Sequence, residues 1–521
     1  MVVNIDLPME IPLLSPLILM FAARLAAQSI VVAPYVQPGN GATLDGTDVK
    51  VLSWFTDQTP GEFTVAFRAG EAAWQSAQPK RTALDFGLPK PKPGTPPKPK
   101  SPNPLANAPT TIEDAKRDAE SSTSPVLPEK EQHFLRYVAE LPGLPFDSVV
   151  EYRVKSGELL IREGKFKTRA SATKPIRFVA VGDLASGKPE QNAIAWQIAQ
   201  QRPDFMIGLG DIVYSAGRMN QYMHHFWPIY NDVPKPGPTA GAPLFASVPL
   251  YPVIGNHDID SARPSEYPDA WAAFHFFNVP RNGPGPGSWN PALPTDPAAM
   301  KRFRTLAGEQ FPAMLYYSWD CGPVHFTVLD SNKHVTAQEP EITKWIENDL
   351  RTSRQPWKIV CFHAPAFHTS REHYTEQKMR LWQPLFERNK VDIVLCGHVH
   401  NYQRSKPLTF QQSAPRDTRG RINGTFRLDE TFDGEKDTTP EGVIHIISGG
   451  GGAKLYSVNF EKTVADLKKE HGSNYVPLTT KYYAEKHSFS LIEATPTAFT
   501  LRQINIAGEE VDHFTITKPA R

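Results

Sequence analysis

Cysteine is scarce in this chain: 521 residues hold three, Cys321, Cys361 and Cys396. Three thiols build neither a disulfide framework nor a cysteine-ligated zinc site. Cys361 and Cys396 sit in strongly apolar runs, which reads them as buried, unreactive thiols. An excess of one charge is also missing. Lys plus Arg number 56 and Asp plus Glu 55. That leaves no basic footprint for nucleic acid and no attraction to an anionic membrane. Long hydrophobic runs are missing too. The apolar stretch from Ile11 to Ala23 falls short of the roughly 20 residues that cross a bilayer, and no other segment could span one. Followed by Ala26-Ala27-Gln28-Ser29, it reads as a secretory signal over residues 1–28. The expectation is a secreted or periplasmic protein with no stable membrane insertion, although Asp6 and Glu10 are acidic where a leading region is normally basic.

What the chain does have is proline, 50 residues, about twice average usage. The length exceeds what one core usually serves, so two or three domains are expected. Residues 29–170 read as an all-β domain. Val31 to Tyr35, Asp48 to Phe55, Glu62 to Phe67, His133 to Glu140, Val149 to Ser156 and Glu158 to Thr168 are short, partly alternating runs between turn clusters, the pattern of a β-sandwich. Residues 88–128 interrupt them with Pro, Lys, Ser and Asn, a composition that reads as an exposed insert.

From Pro175 the pattern changes. Five apolar runs each end in a polar cluster. Ile176 to Val181 leads to Gly182-Asp183, and Phe205 to Leu209 to Gly210-Asp211. Tyr251 to Ile254 leads to Gly255-Asn256-His257-Asp258. Lys358 to Phe362 leads to His363, and Val391 to Cys396 to Gly397-His398-Val399-His400. The runs read as buried strands. Glu190 to Gln201 and Pro340 to Arg351 carry helical apolar spacing. Alternating strands and helices predict α/β layers, with ligands beyond the carboxyl ends of the strands on one edge. Residues 405–440 are mostly polar and read as loop. The tail from His487 to Lys518 alternates enough to supply closing strands.

The five clusters offer carboxylate, amide, imidazole and phenol donors without a thiolate, a set suited to Fe, Zn or Mn. A lone Gly-Asp after a strand is usually a turn. Five such pieces in order, ending in Gly-His-Val-His with both imidazoles at one strand terminus, point to a two-metal hydrolytic site. His224-His225 does not join it, because neighbours on a helix point apart.

The order Gly-Asp, Gly-Asp-x-x-Tyr, Gly-Asn-His-Asp, an isolated His, then Gly-His-x-His resembles the calcineurin-like metallophosphoesterases. Tyr214, three residues after Asp211, resembles the purple acid phosphatase branch, as does Gly397-His398-Val399-His400-Asn401-Tyr402-Gln403-Arg404. Tyr316 to Trp319 and Val328 to Ser331 are similar to that family's central strand pair. Gln132 to Arg153 is similar to the end of its N-terminal fibronectin III-like domain. The resemblance implies a fibronectin III-like sandwich followed by an α/β metallophosphoesterase domain over residues 175–518, a β-sheet sandwich flanked by helices. It puts Asp183, Tyr214 and His400 on Fe(III), and Asn256, His363 and His398 on a divalent Fe, Zn or Mn, with Asp211 bridging. The implied reaction is hydrolysis of phosphate monoesters on a phosphorylated small molecule, by hydroxide held at the metals and without a phosphoenzyme. His257, His368 and His373 are the candidates for protonating the leaving group. Diesters or pyrophosphates on the same frame are the alternative. An inactive scaffold is the minor one, and all seven ligand positions being filled speaks against it. Ala185, Asp258 and the proline-rich insert depart from the family pattern and leave the ligands intact.

Overall fold

The computed structural model describes residues 29–85, 133–259, 271–285 and 311–520, with 297, 301, 307 and 308 besides. The expected signal (1–28) and the proline-rich insert (88–128) lie outside the described residues. No helix among the described residues is long and apolar enough to cross a membrane.

The N-terminal part is built from two antiparallel four-stranded sheets. One orders β1 (Ile30–Gln37), β2 (Asp48–Thr56), β6 (His133–Leu144) and β5 (Lys80–Asp85). The other orders β4 (Gln75–Ala77), β3 (Phe63–Ala69), β7 (Val149–Ser156) and β8 (Leu159–Lys167). The six expected strands are present. β4 and β5 add to them, being too short and polar to show alternation. Their inward faces meet in one core, where Trp54 stacks on Tyr137 at 5.4 Å and Phe63 meets both rings edge-on. The outer face of β1 and β2 is buried as well. Tyr35 and Phe55 join the main core of the following residues, and Tyr35 Oη donates to the Phe276 carbonyl at 2.7 Å. The two parts therefore share apolar contact, not a bare linker.

The remaining residues hold two larger sheets. The first has six strands, ordered β11 (Leu250–Val253), β10 (Phe205–Leu209), β9 (Ile176–Val181), β21 (Ser488–Ala494), β22 (Ala498–Asn505) and β23 (Glu510–Thr517). The second has seven: β12 (Tyr317–Cys321), β13 (Val324–Val328), β14 (Trp357–Cys361), β15 (Ile393–Cys396), β19 (Ile444–Ser448), β16 (Tyr402–Ser405) and β20 (Thr479–Tyr483). In each, the strands that lead to the polar clusters run parallel. They are buried on both faces, which explains their unbroken apolar runs. The sheets face each other through aromatic contacts: Phe178 on β9 meets Phe326 on β13 at 5.2 Å, and Phe205 on β10 meets the same ring at 5.6 Å.

Helices cover the outside. α1 (Glu190–Gln201) buries Ile194 and Ile198. α2 (Pro340–Thr352) buries Ile342, Ile346 and Leu350, one per helical turn, each worth roughly 1.5–3 kcal/mol of apolar transfer. Both helices, the expected strand pair β12–β13 and the closing strands β21 to β23 occur where the sequence pattern places them.

Two expectations need correction. The five strand ends do not lie on one edge: β9, β10 and β11 belong to the six-stranded sheet, β14 and β15 to the seven-stranded one. An apolar run gives strand position but not sheet membership. Residues 405–440 are not simply loop, because β17 (Leu408–Gln412) and β18 (Gly424–Leu428) pair antiparallel there. Their inward Phe410 and Phe426 pack on Phe367, with the buried Arg380 guanidinium against all three rings. The three cysteines are free and buried, and burial pushes the Cys321 thiol up to about 12.

Candidate metal centre

Each candidate ligand follows a strand by two to five residues, where the backbone must turn sharply. Asp183, Asp211 and His398 adopt positive φ, at 60°, 49° and 68°. Such left-handed conformations cost a non-glycine residue about 1–3 kcal/mol and persist where the surroundings impose them. Glycine precedes each of these turns because the strand ends nearly touch. A Cβ on Gly210 (φ 88°) would lie 2.3 Å from His363 Nδ1, and one on Gly255 2.2 Å from Asp211 Oδ1.

The side chains form two clusters that share one carboxylate. In the first, Tyr214 Oη lies 2.9 Å from Asp183 Oδ1 and 3.0 Å from His400 Nε2, and His400 Nε2 lies 3.2 Å from Asp183 Oδ1. In the second, His363 Nε2 lies 3.1 Å from His398 Nδ1. Asp211 Oδ2 touches both clusters, 3.2 Å from Tyr214 Oη and 3.2 Å from His363 Nε2. A bridging carboxylate must stand in this position. Asn256 supplies an independent observation. Its Oδ1 is buried and has no hydrogen-bond partner. An orphaned amide oxygen costs about 1–3 kcal/mol, and a cation is the partner that would satisfy it. The residues present therefore fit two metal ions.

The imidazoles are held by their far nitrogens. His363 Nδ1 bonds the Leu209 carbonyl at 2.8 Å and His400 Nδ1 the Lys454 carbonyl at 2.7 Å. Each leaves Nε2 directed inward, the arrangement seen around ligating histidines. Burial opposes charge on His363, but Asp211 outweighs it and raises the imidazole to about 10. Burial likewise opposes charge on Asp211, yet His363 and His257 hold its carboxyl well below the usual range. The proton therefore sits on the His363 imidazole beside an ionised Asp211, and a metal ion would displace it. Burial, with His373 adjacent, pushes His398 down to about 3 and keeps it neutral. Burial and then the Asp183 and Asp211 carboxylates push the Tyr214 phenol well above its ordinary value. A trivalent ion reverses that balance.

The three histidines outside the ligand set occupy different positions. His257 is part exposed. It donates its backbone N–H to Asp211 Oδ1 at 2.8 Å, and its Nδ1 meets the Ser215 carbonyl at 2.6 Å. His373, also at positive φ (61°), stands 4.0 Å from the His398 ring. His368 is 4% exposed, with Nδ1 unpartnered, and burial together with His373 pushes it down to about 3. It does not lie at a solvated rim. His224 and His225, on the irregular helical turn Tyr222–Phe226, add no ligand to either cluster, although His225 reaches the Tyr214 backbone.

Two contributors, Glu376 and Tyr456, are absent from the sequence pattern, and a third, Asp258, is in it without its full reach. Glu376 accepts at Oε2 from His398 Nε2 (3.1 Å) and at Oε1 from His373 Nδ1 (3.2 Å), tying a ligand to its neighbour. Tyr456 stacks on His400 at 3.9 Å. Both sit in irregular polar loops whose only signal is spatial. Asp258 Oδ1 accepts from Ile212 N at 2.7 Å and Oδ2 from Gly255 N at 2.8 Å, clamping the loops that carry Asp211 and Asn256. Its position within Gly-Asn-His-Asp was visible; its span across two loops was not.

Comparison with known proteins follows the same lines. Residues 176–402 match the calcineurin-like phosphoesterase family model. Purple acid phosphatase 21 of Arabidopsis thaliana is 37% identical over 258 residues, 49% of this chain and 50% of that protein. A Hordeum vulgare nucleotide pyrophosphatase/phosphodiesterase is 26% identical over 328 residues, 61% of this chain and 73% of its own. Other Arabidopsis relatives bear the name "Probable inactive purple acid phosphatase". The chain spans about half the length of the first curated relatives it matches. Among solved structures, the purple acid phosphatase of yellow lupin seeds (Lupinus luteus) superposes with a TM-score of 0.57 at 17% identity, covering 94% of this chain and 74% of that one. That likeness concerns the fold.

Proposed function

We propose that this chain, whose residues 176–402 match the calcineurin-like phosphoesterase family and which has relatives among the purple acid phosphatases, hydrolyses phosphate monoesters at a dinuclear Fe(III)–divalent metal centre. One observation carries the reading: Tyr214 Oη stands within hydrogen-bond distance of Asp183, Asp211 and His400 together. A phenolate there is a hard anionic donor suited to Fe(III). Asp183, Tyr214 and His400 would hold Fe(III). Asn256, His363 and His398 would hold Fe, Zn or Mn, with Asp211 between them. When bound, such a pair supplies a hydrolytic nucleophile at mild pH and neutralises charge on the phosphoryl group.

The chain's own residues do the rest. The Leu209 and Lys454 carbonyls fix the imidazole orientations. Asp258 holds the two ligand loops at one spacing. His257, with Nδ1 engaged by the Ser215 carbonyl, presents Nε2 as the group to donate a proton to the leaving oxygen, and His373 is the second candidate. His368, buried and neutral, is the weakest of the three for that role.

The name of the barley relative supports a second reading, hydrolysis of phosphodiesters or pyrophosphates on the same frame. The inactive reading, which the names of some relatives favour, is opposed by the full set of seven ligand positions. We further propose that residues 29–170 form a fibronectin III-like domain preceding the catalytic residues 175–518. The test is the visible spectrum and metal content of one purified sample, with rates on p-nitrophenyl phosphate and bis(p-nitrophenyl) phosphate. A broad tyrosinate-to-iron band, about two metals per chain and faster monoester turnover are expected. Two metals including Fe(III) without the band would remove Tyr214 from the metal. Faster diester turnover would establish the second reading.

A further inference from the structure

A cavity of about 300 Å³ lies where the N-terminal sheets meet the start of the catalytic residues. It is at the far end of the sheet from the metal centre. Ile176 and Phe205, which open β9 and β10, line it together with Tyr251 near the start of β11, whereas the ligands follow the other ends of those strands. Its floor is apolar: the Ile176 and Phe205 side chains, and Tyr251 stacked on Trp319 at 4.0 Å.

The wall is cationic. Lys50 and Arg169 both line the cavity, 1% and 4% exposed. A single buried carboxylate, Asp48, serves both. It accepts from Arg169 Nε at 2.8 Å and pairs with Lys50 Nζ. Arg169 Nη1 is used by the Ala42 and Asp320 carbonyls at 2.9 and 3.1 Å. Two basic side chains thus share one carboxylate, and burial, with Arg169 beside it, holds the Lys50 ammonium below its ordinary range, so that a second anion in the cavity would favour its charged form. At the rim, Lys167 is paired with Asp204 at 2.6 Å and Asp147 is engaged by Ser171. Lys174 also lines the cavity, and its ammonium has no ion-pair partner among the described residues.

We propose that this junction cavity binds a small organic monoanion with an apolar body, of the aromatic carboxylate class. The carboxylate supplies a second anion to Lys50 and Arg169, which otherwise share Asp48, and the ring lies against Phe205 and Tyr251. The volume suits a ligand of about ten heavy atoms. Such a ligand touches both the N-terminal sheets and the catalytic sheet, so its binding stabilises their junction. The site is independent of the metal chemistry proposed above.

The experiment is titration calorimetry of benzoate into the full-length metal-loaded protein, with inorganic phosphate present at saturation to occupy the metal centre, alongside thermal denaturation. Expected are one saturable benzoate site per chain in the millimolar range or tighter, a rise in unfolding temperature, and at least tenfold weaker binding of neutral benzamide. Arg169→Lys is expected to weaken benzoate at least tenfold. Because Arg169 also braces Asp48, Lys174→Ala at the exposed rim provides a second variant, expected to weaken binding two- to fivefold with the melting temperature of the free protein unchanged. Absence of saturable binding in the unsubstituted protein would overturn the proposal. So would benzoate binding that phosphate abolishes, that benzamide matches, or that both variants leave unchanged.

Discussion

Adding one methyl group at Gly255 tests whether the strand ends set the metal geometry. A Cβ there would lie 2.2 Å from Asp211 Oδ1 and 2.3 Å from Asp211 N. Ordinary carbon–oxygen contact needs about 3.4 Å, so the Gly255→Ala protein must move the Asp211 loop by about 1 Å or tilt its carboxylate. Gly255 does not have positive φ, so backbone strain does not confuse the result. Metal–ligand distances tolerate only about 0.2 Å, and a misplacement of about 1 Å at a reacting centre costs on the order of 100-fold in rate. The expected outcome is loss of at least one metal ion per chain and a fall in kcat of about 100-fold. Overpacking should add about 1–3 kcal/mol of destabilisation. Metal content is read by elemental analysis, rate with p-nitrophenyl phosphate and stability by chemical denaturation. Gly237→Ala is the control, since a Cβ there meets nothing within 4 Å. Full metal content and an undiminished rate in Gly255→Ala would refute the claim that this close approach fixes Asp211.

Tyr214→Phe should abolish the visible band and lower iron retention while the fold survives, checked by absorption and metal analysis; a persisting band would assign the colour to another group. Glu376→Gln keeps the shape but removes the charge between His398 and His373, and should lower kcat about tenfold with a shifted pH–rate profile; an unchanged profile would deny it a positioning role. His325 supplies a pH prediction. Burial works against its charge, but the hydrogen bonds to Asp320 (2.7 Å) and Asp349 (3.0 Å) raise it to about 9. Its folded value exceeds the usual 6.5, so its contribution is complete below pH 6.5 and is lost as pH climbs through 9. The loss is about 3 kcal/mol, taking about 1.4 kcal/mol per unit. Urea unfolding of the unsubstituted and His325→Gln proteins between pH 6 and 9.5 checks this, and parallel pH dependences would refute it.

The legible parts of the sequence share one property: their signal is local. Glu190 to Gln201 and Pro340 to Arg351 repeat apolar residues at helical spacing, and the helices occur there within a residue. The seven candidate ligands follow five apolar runs, so their positions carry a local signal in the sequence. What escaped depends on residues distant in the chain. Glu376 reaches His398, 22 positions away, and Asp258 clamps a loop 46 positions upstream. The division of the ligand strands between two sheets was hidden for the same reason. A run such as Ile393–Cys396 looks alike whichever neighbour it pairs with. β17 and β18 were missed because their outward residues are polar and each strand offers only two inward apolar residues, Leu408 with Phe410 and Phe426 with Leu428.

The split of the ligands between two sheets has a consequence for how the protein is made. Asp183, Asp211, Tyr214 and Asn256 leave the ribosome first, and His363, His398 and His400 follow more than 100 residues later. Until then the candidate ligand set holds oxygen donors alone, a set that favours hard ions such as Mg²⁺ or Ca²⁺. The imidazoles that discriminate for Fe or Zn arrive with the second sheet. On the proposed reading, metal selection would be a late event that coincides with the meeting of the two halves, and the filled centre would act as a rivet that records that both have folded.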